Sequence, residues 1–278
     1  MRIAFITALG ALGLAAAMAS GSASATPIVD WDYTVTSTFV TSIGATTFNG
    51  AGPGTANGCE SVSGVSITWG ACPSGPAGEG RSGIGITNSA QSGTLSTNGA
   101  AQSANTYTHS NNVVLSAYAT LQSATISTVL GLKAAGSADP YTYTTATYRI
   151  LLTETPNVEG TCVAASPVGN PCNDIWVLDG SLNDTITIDG NEYFFSFFAA
   201  PTLSTLPKEV CEATGADEGC IGFTTVEGQD NVVDFLLKVT SAPLETGESE
   251  VHEPASIALF SAGLLGLAGV RRRQRKQA

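Results

Sequence analysis

Charge is scarce in this chain, and positive charge scarcer still. Charged residues are 12% of its 278 residues, with 11 Lys and Arg against 23 Asp and Glu. Six of the basic residues stand at the extremities: Arg2, then Arg271, Arg272, Arg273, Arg275 and Lys276. Residues 26–253 are left with five basic against twenty-three acidic residues, a net of −18. A body that acidic repels nucleic acid and anionic lipid surfaces, which excludes nucleic acid as a partner. Histidine is almost missing, with His109 alone inside the body and His252 near the C-terminus. With no C-x-x-C and one body histidine, a zinc site lacks its ligands. There is no G-x-S-x-G, no phosphate-binding glycine loop and no dinucleotide fingerprint, so those chemistries lack their carriers. No internal repeat is present, and helical periodicity is confined to the two termini.

Those termini account for most of the apolar runs. Arg2 precedes an apolar stretch over 3–19, followed by the small-residue site Ala23-Ser24-Ala25. A positive start, an apolar helix and an A-x-A site make a signal peptide over 1–25, cut by signal peptidase before Thr26. At the other end, residues 255–270 are uncharged and the basic cluster follows. Sixteen residues span about 24 Å as a helix, short of the ~30 Å hydrocarbon core. The tail reads as a transmembrane helix that pauses in the inner membrane, its basic end cytoplasmic. Residues 243–251 form an acidic linker before it.

The body has what strands need. Hydrophobic residues reach 43%, too many for disorder, and Gly 31 and Pro 12 punctuate stretches rich in Thr, Ser and Val. Strands are expected over 31–43, 64–69, 83–87, 141–155, 175–178, 185–188, 193–198 and 231–240, with two or more inside 107–132. Asp189-Gly190 between apolar runs signals a hairpin. The fold class expected is all-β: one antiparallel two-sheet sandwich, jelly-roll-like, over 27–242.

Six cysteines fall into three local pairs: Cys59 and Cys72, Cys162 and Cys172, Cys211 and Cys220. Six cysteines allow 15 connectivities and sequence cannot choose among them. Each local pair brackets a Gly/Pro-rich stretch, which favours the three local disulfides, and an oxidising compartment is where they persist.

Immediately before the tail helix stands His252-Glu253-Pro254-Ala255-Ser256. Taken with the apolar helix and Arg271, Arg272 and Arg273, this resembles the PEP-CTERM sorting signal, with His252 in place of the first proline. The resemblance implies recognition and cleavage by an exosortase. Inside the body, Thr108-His109-Ser110-Asn111 is a T-H-x-N tetrapeptide, and the chain resembles the PEP-CTERM subfamily named for it. Thr68-Trp69-Gly70, the Gly-Arg-Ser-Gly run at 80–83, the Glu154-Thr155 pair and the downstream cysteines agree with that likeness. The resemblance carries no established activity with it.

The remaining candidates rest on their own chemistry. His109 suits a metal ligand or acid–base group by its pKa, yet every residue of Thr-His-Ser-Asn-Asn can bond a turn or neighbouring strand, and the structural reading is preferred. Asp179, Asp184 and Asp189, with Asn183 and Glu192, offer calcium ligands in kind but match no EF-hand spacing; a solvated turn region is preferred, and no metal or cofactor is expected. Trp31, Trp69 and Trp176 could stack on sugars or pack in a core. The expectation is therefore an exported cell-surface or exopolysaccharide-matrix structural or interaction protein, and not an enzyme. A carbohydrate-binding module is the alternative, and a hydrolase ranks behind it.

Overall fold

The computed structural model describes residues 25–49, 59–73, 80–87, 90–179, 183–200 and 204–244. The chain begins with β1 (Asp30–Phe39), β2 (Thr46–Asn49), β3 (Ser61–Val62), β4 (Ser66–Gly70) and β5 (Arg81–Ile86). It continues with β6 (Ala90–Ser96), β7 (Gln102–Asn111), β8 (Thr120–Ala134), β9 (Thr142–Thr153) and β10 (Asp174–Asp179). The last elements are β11 (Asp184–Ile188), β12 (Asn191–Ala200), β13 (Ser204–Thr205), α1 (Lys208–Ala213), β14 (Ile221–Thr225) and β15 (Gln229–Thr240). One sheet runs β13-β14-β10-β9-β8-β1-β6, with β2 also on β8; the other runs β11-β12-β15-β7-β5-β4-β3. Every pairing is antiparallel. The molecule is all-β in two antiparallel sheets, as the composition implies.

The core follows from period-2 patterning. In β1, Trp31, Tyr33, Val35 and Phe39 face inward; in β15, Val233, Phe235, Leu237 and Val239 do. Both sheets feed one apolar cluster that also holds Trp69, Trp176, Tyr193 and Phe195. β10 is buried on both faces. Trp176 faces the main core, while Ile175 and Val177 join Leu206, Val210 and Cys211 in a second cluster beneath α1.

Several elements were not expected. α1 is six residues long and its sequence KEVCEA is too short to show a helical period. Strands β2, β3, β6, β13 and β14 also lie outside the expected spans. β6 (AQSGTLS) is a sheet edge with one buried side chain, Leu95, so it shows no alternation of apolar residues. The stretch 31–43 ends as a strand at Phe39. The stretch 107–132 resolves into β7 and β8, with β7 beginning five residues earlier than expected. Asp189-Gly190 does turn the β11–β12 hairpin, with φ of 52° and 77°, as a primed two-residue turn requires.

The two ends of the sandwich differ. At one, the described chain enters and leaves: Thr97 N–H donates to the Val29 carbonyl (2.7 Å) and Asn98 N–H to that of Val239 (2.9 Å). There the Asn98 side chain also accepts from Ser241 N–H (3.0 Å), and Trp31 and Tyr193 meet edge to face. At the other end lie the C-terminal ends of β4, β7, β9 and β14 and the N-terminal ends of β5, β10 and β15. The expected signal peptide over 1–25 reaches the described residues only at Ala25, and the sorting tail over 252–278 lies outside them. Among the described residues no helix is long and apolar enough to cross a membrane.

Candidate functional site

Strand alternation sends every second side chain of β7 into the core: Tyr107, His109 and Asn111 are buried, while Thr108 and Ser110 face outward and are half-buried. β7 is held on both sides, His109 opposing Asn231 of β15 and Ile84 of β5. The T-H-x-N motif is thus the last four residues of β7, in a ladder rather than a turn. His109 stacks on Trp69 (5.7 Å between centroids) and meets the edge of Trp176 (4.9 Å). Its Nδ1 shares a hydrogen bond with Thr225 Oγ1 at 3.0 Å, and Trp176 Nε1–H donates to the same oxygen at 3.2 Å. Burial lowers the His109 pKa from 6.5 to about 3, so the ring is neutral at neutral pH.

Beside this aromatic sandwich, three carboxyls converge. Ligand oxygens of Glu154, Asp174 and Glu227 all lie within 4.8 Å of one another. The sheet register explains two of them. β9 and β10 pair Thr153 with Ile175, so the next step out along the antiparallel register sets Glu154 opposite Asp174. Asp174 also opposes Thr225 of β14, and the turn leaving β14 carries Glu227. That turn is clamped by Asn231, whose Oδ1 accepts from Val226 N–H (2.8 Å) and whose Nδ2 donates to the Val226 carbonyl (2.9 Å). Gly228 N–H donates to the Asn111 carbonyl at 2.9 Å, tying the same turn to β7.

Two carboxyls are tethered by one oxygen and open at the other. Thr155 N–H donates to Asp174 Oδ1 (2.8 Å) and Trp69 Nε1–H to Glu154 Oε2 (3.3 Å). Asp174 Oδ2, Glu154 Oε1, both Glu227 carboxyl oxygens and Asn111 Oδ1 are buried without a hydrogen-bond partner. Burial raises all three acids. Glu154 is pushed up to about 9, mainly by desolvation and then by the neighbouring Asp174 and Glu227 charges. Asp174 is pushed up to about 7, by desolvation first, against the Thr155 N–H that holds it down. Glu227 is raised by burial, and the Asn111 carboxamide beside it and Asp174 opposes both shifts. Half-buried Glu154 is where this trio meets the surface.

Two disulfides close loops at this end. Cys59–Cys72 and Cys162–Cys172 form as expected, with Cα separations of 5.2 and 5.3 Å, and Cys211–Cys220 forms beside α1 at 5.7 Å. Arg81 reinforces the first loop, donating to the carbonyls of Ala71 (2.7 Å) and Cys59 (2.6 Å) and to Thr68 Oγ1 (2.6 Å). Gly80, at φ 68°, lies so close to the Val113 carbonyl that a Cβ would collide with it.

Of the features that carry the resemblance, Trp69, His109, Asn111 and Glu154 therefore gather in one place, while the Arg81 guanidinium bonds Thr68 on the other face of β4. Asp174 and Glu227 were not anticipated. The one local signal for Asp174 was its phase with inward-facing Trp176 two residues on. Asp184 begins β11 and Asp189 follows its end, about 16 Å further by strand rise, so these two carboxylates do not meet. Trp31, Trp69 and Trp176 are 0%, 0% and 1% exposed, so none presents a face to a sugar. His252, Glu253, Pro254, Ala255, Ser256, Arg271, Arg272 and Arg273 lie outside the described residues.

No family model matches this chain, and no curated protein matches it.

Proposed function

We propose that the chain is an exported cell-surface or exopolysaccharide-matrix protein with a structural or interaction role, and not an enzyme. The observation that carries this is the cysteine pairing. All six cysteines are joined in three local disulfides, and such cross-links persist in oxidising, extracytoplasmic compartments. The signal-like N-terminus and the tail resembling a PEP-CTERM signal supply the route. Signal peptidase cuts first, the C-terminal helix rests in the inner membrane, and an exosortase then releases or transfers the jelly-roll-like body to the surface or matrix. The neutral, buried His109 removes itself as an acid–base group, because a histidine with a pKa of about 3 neither gives nor takes a proton usefully near neutrality.

Intact-mass spectrometry of the protein from cells and from medium, without reductant, tests the reading. The expected species starts at Thr26, ends near residue 252 and is lighter by six hydrogens. A reduced chain retaining residues 1–25 in the cytoplasm would sink export. An oxidised chain retaining Arg271–Lys276 and confined to membranes would replace the matrix role with a tail-anchored one.

A further inference from the structure

We propose that the end of the sandwich beneath Trp69 and His109 is a divalent-cation site of the calcium class, formed by Glu154, Asp174 and Glu227 with Asn111 Oδ1 as a neutral ligand. This departs from the expectation of no metal, and it concerns the folded body wherever the chain is delivered.

Three acids held within 4.8 Å repel one another when ionised and need a cation or protons between them. Lys133 pairs with Asp32 and Lys208 with Glu212 and Glu218, away from the trio. The Arg81 guanidinium is occupied by carbonyls and Thr68. The independent sign of a ligand is Asn111. Its side chain is fully buried, its amide N–H faces Asp174 and Glu227 and lowers both, and its Oδ1 has no partner; a half-turn of the amide exchanges its two ends and presents Oδ1 to the acids. A buried amide oxygen left unbonded costs stability unless something accepts its lone pairs.

The donors identify the class of ion. Three carboxyls converge, and with the Asn111 amide they hold five buried oxygens without a hydrogen-bond partner. All are hard ligands, which suit calcium, magnesium or manganese rather than zinc or copper. Ligands drawn from a strand, two strand ends and a turn can adjust their distances, which suits calcium's flexible shell better than magnesium's strict octahedron. The tethers on Asp174 Oδ1 and Glu154 Oε2 aim the free oxygens, as outer-shell bonds do in metal sites. Water completing the shell can enter past half-buried Glu154.

The test uses the full chain, disulfides intact, stripped with EDTA and dialysed at neutral pH. Terbium serves as the probe, because Trp69 bonds directly to Glu154 and can sensitise its emission. Tryptophan excitation is expected to give terbium luminescence that calcium competes away in about the 0.1–1 mM range of extracellular sites, while ionic-strength-matched sodium does not. Calcium is also expected to raise the melting temperature. Glu227→Gln should weaken both responses at least tenfold while melting, metal-free, no lower than wild type; Asp189→Asn, on the exposed hairpin turn, should change neither. Wild type showing no sensitised emission and no calcium-dependent melting shift overturns the proposal and leaves the trio neutralised by protons. Undiminished binding by Glu227→Gln overturns it too.

Discussion

His109 and Asn111 are two residues apart on β7, and that spacing alone turns both side chains inward. What they meet there is set by other strands. His109 is sealed between two indoles, so its protonation is tied to folding. Its folded pKa lies below its ordinary value, so the stability it contributes is complete above pH 6.5 and is lost as pH falls toward 3. Its imidazole NMR signals should stay at neutral-form positions from pH 8 to pH 5; a midpoint near 6.5 would show the ring in contact with water. Sequence made His109 conspicuous because it is the body's one histidine. Nothing local marked Glu227, whose neighbours Val226 and Gly228 read as any turn. Its partners Asp174 and Glu154 stand far away along the chain, and only the registers of β9, β10 and β14 bring them together.

Elements show the same division. Long alternating strands were legible: the inward set of β15 can be read directly from Val233, Phe235, Leu237 and Val239. Short strands such as β3 and β13 have two residues each and exist because a neighbour offers a ladder edge. α1 exists because Val210 and Cys211 cover Ile175 and Val177 of β10, a tertiary reason invisible in KEVCEA. At this scale the turn after β14 is the sharpest target. Asn231→Ala removes two side-chain bonds to Val226 and should cost about 1–3 kcal/mol in urea unfolding. It should also weaken terbium binding, since Glu227 rides on that turn. In the β11–β12 hairpin, Asp189→Ala leaves φ at 52° but removes the short polar side chain that tolerates this region, and should cost on the order of 1 kcal/mol. Equal stability of Asp189→Ala and wild type would mean the turn is not held in that conformation.

For the whole molecule, the buried acids set a pH dependence that a cation should reverse. Their folded pKa values are raised, so their contribution is complete below the ordinary carboxyl range. It is lost as pH climbs through about 7 for Asp174 and about 9 for Glu154. His109 acts in the opposite sense below 6.5, but over that interval it is outnumbered by the acids. The EDTA-treated protein should therefore melt at progressively lower temperature from pH 5 to pH 9, and millimolar calcium should flatten or invert the trend. A metal-free melting temperature that rises across that range would contradict the assigned burial of the trio.

The chain reaches and leaves the body at one end, and it leaves by β15. That strand is interior to its sheet, bonded to β12 on one side and β7 on the other. A pull transmitted from beyond Leu244 would run along the axis of β15, so both ladders would have to slide together rather than open bond by bond. The acidic trio lies at the far end of the same strand, where Glu227 precedes its first residue. Tension applied at Thr240 would thus be resisted in shear along both ladders at once.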